Sequence, residues 1–165
     1  MRGLFFVFLM AALCSGCGYR AQSYINDITS VAVPIFDNQT TWREMEFELT
    51  NIVQREIKAR TPLRLASKPE DADIVLKGEI IKYYKPSLVE DKQDQVIMSA
   101  SKITVRVFIR DQKSGKDIIE KTNSFQGEFA RGVNESLADA EYRGRQNTFE
   151  QIGRWVVTLL EDPAR

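Results

Sequence analysis

Along the chain, apolar and polar positions fall into three kinds of pattern: an uncharged leader, stretches that alternate with a period of two, and two stretches with a helical period. Leu4 to Leu13 is an unbroken apolar run behind Arg2. Ser30–Phe36 is β-branched and alternating, with Val31, Val33 and Ile35 on one face and Ala32, Pro34 and Phe36 on the other; this predicts a strand, and Pro34 places it at an edge or a strand end. Asp37-Asn38-Gln39 is a turn cluster, and Thr41-Trp42-Arg43-Glu44 has the spacing of a capping box opening a helix that runs to about Arg60. Trp42, Met45, Leu49, Ile52, Val53 and Ile57 recur every three or four residues and form its packing stripe, with Glu46, Glu48, Gln54, Arg55 and Lys58 opposite.

Pro62 stops that helix, and Leu63-Arg64-Leu65 predicts a short strand. Ile74–Tyr84 predicts a longer one, interrupted by Gly78, where a bulge or a close backbone approach is expected. Lys85–Gln95 is polar and contains Pro86, the composition of a loop. From Ile103 the alternation is clean: Ile103, Val105, Val107 and Ile109 face one way, Lys102, Thr104, Arg106, Phe108 and Arg110 the other. Asp111–Lys116 predicts a hairpin turn with Gly115 free to take positive φ, returning as a strand over Asp117–Gly127. After a loop at Glu128–Glu135, Ser136 and Asp139 are placed to cap a last helix, whose stripe is Leu137, Ala140, Phe149, Ile152, Trp155, Val156, Leu159 and Leu160 and which Pro163 ends. The order β-α-β-β-β-β-α predicts an α+β fold: two helices packed on one face of a small mixed β-sheet, the first strand, helix and next strand forming a parallel crossover.

The leader changes what this domain is expected to be. Its apolar run is about half of the roughly twenty residues a helix needs to cross a bilayer, and it ends in Ser15 and Gly16 directly before Cys17, the layout of a cleaved export signal. Aliphatic, small, small, Cys resembles the bacterial lipobox, although Cys14 stands where Leu is usual. The expected organisation is a lipoprotein signal peptide over 1–16, a lipidated N-terminal linker over 17–29 and a single domain over 30–165, with Cys17 as the lipid attachment residue. Cys14 and Cys17 are the only cysteines, so no disulfide framework exists. Attachment through several acyl chains gives firm anchoring at about 0.8 kcal/mol per buried methylene. Gly18 rather than Asp follows Cys17, which by resemblance to enterobacterial lipoproteins implies sorting to the outer membrane.

Composition narrows the chemistry. Of 165 residues, 23 are Lys or Arg and 23 Asp or Glu, so no net field draws the chain to nucleic acid, and none is expected as a partner. The chain has no histidine, which removes the commonest general base and transition-metal ligand, and no thiol outside the signal boundary for thiolate catalysis or zinc. No glycine-rich nucleotide motif occurs. No catalytic residue, metal site or cofactor is expected. The one patterned surface is Lys102, Arg106, Phe108 and Arg110 beside Thr104: guanidinium groups fork onto phosphate, and an aromatic neighbour lies against an acyl chain or sugar. The other reading of that stripe is a solvent face whose cations pair with nearby carboxylates.

Cys17-Gly18-Tyr19, then Val31-Ala32-Val33-Pro34-Ile35-Phe36-Asp37-Asn38, a helix ending near Arg60, Ala72-Asp73-Ile74-Val75-Leu76-Lys77-Gly78, and Asp111 to Lys116 with Ser114-Gly115-Lys116 together resemble the lipopolysaccharide-assembly lipoprotein family, LptE. Their order and spacing carry the likeness, over nearly the whole mature chain. The resemblance implies an outer-membrane lipoprotein that partners the β-barrel translocon LptD, sits on its periplasmic side or in its lumen, aids its assembly and contacts lipopolysaccharide in transit. A periplasmic lipoprotein that regulates a cell-wall synthase or forms a secretion-channel subunit is the alternative, since such proteins also begin with a Val-Ala-Val-Pro-like strand followed by Phe-Asp-Asn. A carboxylate-based hydrolase of envelope glycans is a third class.

Overall fold

The computed structural model describes residues 28–90, 96–132 and 134–161. The leader, Cys14, Cys17 and most of the linker lie outside them, as does Pro163. The elements are β1 (Ser30–Ala32), β2 (Asp37–Asn38), α1 (Met45–Arg60), β3 (Arg64–Ala66), β4 (Ile74–Tyr84), β5 (Ser87–Glu90), β6 (Val96–Asp111), β7 (Asp117–Ala130) and α2 (Leu137–Glu161), with one 3-10 turn at Pro69–Asp71. The seven strands form one mixed sheet, and the fold is α+β. β1 lies between β3 and β4 and is parallel to both, so β1, α1 and β3 make the expected parallel crossover. β4, β6 and β7 are antiparallel. β4 and β5 take successive stretches of one flank of β6, and β7 takes the other.

Both helices pack on one face of this sheet. Ile103, Val105, Val107 and Ile109 are fully buried beneath them, together with Leu49, Val53 and Ile57 of α1 and Phe149, Ile152 and Val156 of α2. The helices run side by side in the same direction: Arg145 meets Glu48 at 3.3 Å, Arg55 meets Glu150 at 3.6 Å, and Gly153 sits against Glu56. Both therefore begin at the pole where β4 ends and finish at the pole where β4 begins.

Several local expectations are corrected. The first strand does not run unbroken through Phe36: it stops at Ala32, resumes as the two-residue β2, and between them Pro34 interrupts the alternation, so that Ile35 is 57% exposed and Phe36 turns inward. The Phe36 amide donates to Thr50 Oγ1 at 3.0 Å instead of to a neighbouring strand. The Phe36 ring lies over Gly78, where a Cβ would come within 2.1 Å of it. Gly78 thus marks a close approach, while the register shift of β4 falls between Ile80 and Lys82.

The capping box at Thr41–Glu44 does not form. Helix α1 starts three residues after Trp42, at Met45, and Glu44 takes φ 70° with no side-chain cap. Asn38 organises this entry: its Nδ2 donates to the Trp42 carbonyl at 2.6 Å and to Glu46 Oε2 at 2.7 Å, and its Oδ1 accepts from the Thr40 amide at 2.9 Å and hydroxyl at 2.7 Å. These contacts, with the helix backbone first, hold the Glu46 carboxyl below its ordinary range. The Lys85–Gln95 segment carries β5 over part of its length, β6 starts before Ile103 and β7 continues through Ala130. The Ser136 cap forms as read: the Asp139 amide donates to Ser136 Oγ at 3.1 Å. In the α2 stripe, Leu137 is 40% exposed, and the buried set gains Gly144, Thr148 and Gly153. The hairpin also forms as read, with Gly115 at φ 67° and its amide donating to the Asp111 carbonyl at 2.9 Å.

Candidate functional site

The first candidate surface is the sheet face the helices leave open. Alternation brings Lys102, Arg106, Phe108 and Arg110 onto it in line, above the buried row from Ile103 to Ile109. The cations there are largely answered by neighbouring strands. Arg110 forks onto Asp117, Nε to Oδ1 at 2.7 Å and Nη2 to Oδ2 at 3.0 Å, which raises the guanidinium and lowers the carboxyl from their ordinary values, the hydrogen bonds outweighing the charge. Arg106 reaches Glu79 at 3.4 Å and lies 6.0 Å from the Phe108 ring centre. Thr104 pairs with Ser124 at 2.8 Å, and Lys102 stands between Tyr84 and Gln126.

The second surface was not singled out by the sequence. At the pole where both helices start, Trp42 is 41% exposed although the helical period had assigned it to the core. It stands edge to face with Tyr83, ring centres 5.2 Å apart, and Lys85 Nζ lies 4.0 Å from its ring centre. Lys85, directly after β4, also donates to Glu141 Oε1 in the second turn of α2 at 2.7 Å, tying the end of that strand to the helix. One residue on, Tyr142 is 51% exposed and has the Arg145 guanidinium 5.4 Å from its ring centre. Arg145 and Gln146 both donate to Glu48 Oε2, at 3.3 and 3.2 Å. Beneath these groups the Tyr83 and Ser101 hydroxyls are buried, and neither has a hydrogen-bond partner among the described residues. Burial is the chief cause raising the Tyr83 hydroxyl above its ordinary range, with Ser101 and Arg145 near enough to oppose it. The cluster was hidden because its members come from four separate segments, and only the fold joins them.

At the opposite pole the described chain is fastened where it enters. Asp73 Oδ2 accepts four hydrogen bonds from Thr29 and Ser30, from both amides at 3.0 Å and both hydroxyls at 2.9 Å. They lower the Asp73 carboxyl to about 2, the Thr29 amide contributing most.

The fold is thus an α+β domain of one-sided type, two helices on one face of a mixed sheet whose other face is open and polar, with an aromatic cluster at the pole where the helices start. The profile of the LptE family, described as lipopolysaccharide-assembly, matches residues 28–154, and the chain belongs to that family. Solved structures share the fold. A hypothetical protein of Chlamydia trachomatis is 15% identical, with a TM-score of 0.60 over 81% of this chain and 95% of that one. Lipoprotein B of Nitrosomonas europaea is 12% identical, with a TM-score of 0.56 over 81% and 83%. The PelC dodecamer of Paraburkholderia phytofirmans is 14% identical, with a TM-score of 0.52 over 81% and 92%. No curated protein matches the chain.

Proposed function

We propose that the protein is an outer-membrane lipoprotein, tethered through acyl chains on Cys17, that assembles with an LptD-like β-barrel translocon and assists lipopolysaccharide transport and insertion without catalysing a reaction. The family match over residues 28–154 carries this reading. The leader supports the tether: an apolar run ending in Ser15-Gly16-Cys17 directs export and leaves a cysteine at the mature N-terminus. The row of Lys102, Arg106, Phe108 and Arg110 is the proposed contact for acidic groups of lipopolysaccharide or for the barrel wall. Its carboxylate partners keep the guanidinium groups aligned and exposed until a stronger anion competes.

Purification of the tagged full chain from solubilised outer membranes tests the assignment. A large β-barrel protein should accompany it in stoichiometric amount, and labelled fatty acid should be incorporated into the wild type but not into Cys17→Ala. Recovery with a cell-wall synthase, or as a homo-oligomer without a barrel, would overturn it. In the same preparation Arg106→Glu with Arg110→Glu should weaken lipopolysaccharide binding while the barrel is retained; unchanged affinity in the folded double variant removes the stripe from the site.

A further inference from the structure

The two candidate surfaces differ in chemistry. We propose that the pole where both helices begin is a saccharide subsite that takes a neutral sugar ring stacked on Trp42 and flanked by Tyr142. This rests on the lipopolysaccharide reading above and assigns the sugar of such a glycolipid to a different place from its acidic groups.

Four observations converge on the pole. Trp42 and Tyr142 keep about half their surface in solvent, yet their rings are steadied by cations and, for Trp42, by Tyr83. An exposed ring that is already held loses little entropy when it gains a flat ligand. The two cations held against the rings are already answered, Lys85 by Glu141 and Arg145 by Glu48. The same pairs offer fixed donors and acceptors suited to adjacent hydroxyl groups. Below them the Ser101 and Tyr83 hydroxyls lie near one another, buried and without a hydrogen-bond partner among the described residues, polar groups that a bridging water links to a ligand hydroxyl above. Finally, Glu44, in the segment that carries Trp42, holds φ 70° without being glycine, a strain that collects where backbone is fixed for binding.

The test uses the full-length chain in detergent. The probe is core oligosaccharide released from lipopolysaccharide by mild acid and dephosphorylated, titrated by calorimetry with inorganic phosphate as a parallel probe. The wild type should bind the oligosaccharide and not the phosphate. Trp42→Ala should weaken binding by about tenfold or more, a loss of about 1.4 kcal/mol or more. Trp42→Phe should recover part of it. Tyr142→Ala, at an exposed position of α2 that leaves packing intact, should also weaken it, while Lys116→Ala, in the exposed hairpin at the other end of the sheet, should not. Wild-type affinity in folded Trp42→Ala and Tyr142→Ala, or binding confined to phosphorylated fragments, would overturn the proposal. Because the probe needs neither barrel nor lipid, that failure leaves the barrel co-purification unaffected, and a missing barrel leaves the oligosaccharide titration readable.

Discussion

Gly78 and Phe36 meet so closely that a single methyl group cannot be inserted between them. Gly78→Ala should cost about 1–3 kcal/mol by overpacking, read as a lower urea midpoint at unchanged slope, and Phe36→Leu in the same chain should return part of the loss. Asp73 gives a prediction in pH. Its carboxyl titrates near 2 in the folded protein against 3.8 ordinarily, so its contribution is fully present above about pH 4 and is lost as pH falls toward 2. The stability difference between wild type and Asp73→Ala should therefore be constant from pH 7 to 5 and shrink below pH 4; a difference that stays flat to pH 2 would remove the clamp. At this scale the sequence was partly legible. Gly78 was flagged, but whether as bulge or close approach depended on an aromatic ring 42 residues earlier in the chain, which no local pattern contains.

Among elements, the long strands and both helices were readable because their apolar faces persist over many residues. The errors cluster at entries and exits, where one side chain outweighs the period. Asn38 does this for α1: by holding Trp42, Thr40 and Glu46 it replaces the capping box that Thr41 and Glu44 spell. Asn38→Ala should cost about 0.5–1.5 kcal/mol, because it removes the hydrogen bonds that order the part-buried helix entry, whereas Thr41→Ala should be close to neutral. Ser136→Ala, which removes a cap that does form, should cost about 1 kcal/mol. Thermal unfolding of the three variants separates these outcomes; equal losses at Thr41 and Asn38 would contradict the account of the entry. Trp42 was misplaced for the same reason, since a helical spacing carried it into a helix that begins three residues later.

For the whole molecule, the contact of helix layer with sheet depends on small residues at the α2 crossing. A Cβ on Gly127 would lie 2.4 Å from Thr148 Oγ1 and 2.9 Å from the Gly144 carbonyl, so Gly127→Val should push α2 off the sheet and destabilise the fold by about 1–3 kcal/mol or more. Increased amide exchange along α2, with the hairpin at Asp111–Lys116 unaffected, is the expected signature. The alternation that lines up Lys102, Arg106, Phe108 and Arg110 was legible because it belongs to one strand. The aromatic pole was not, because Trp42, Tyr83, Lys85, Glu141 and Arg145 come together only when both helices start at one end.

β6 runs the length of the sheet in 16 residues, which at about 3.3 Å per residue makes a rod of about 50 Å. A bilayer with its headgroups measures about 40–45 Å. The described chain enters at one tip of this rod, beside Asp73, and carries its aromatic rings about halfway along it, where Tyr83 pairs with Ile103, eight residues from Asp111. A lipid anchor at the entry tip and a barrel around the shaft would therefore set Trp42 about 26 Å, a little over half a membrane thickness, from the leaflet that holds the anchor.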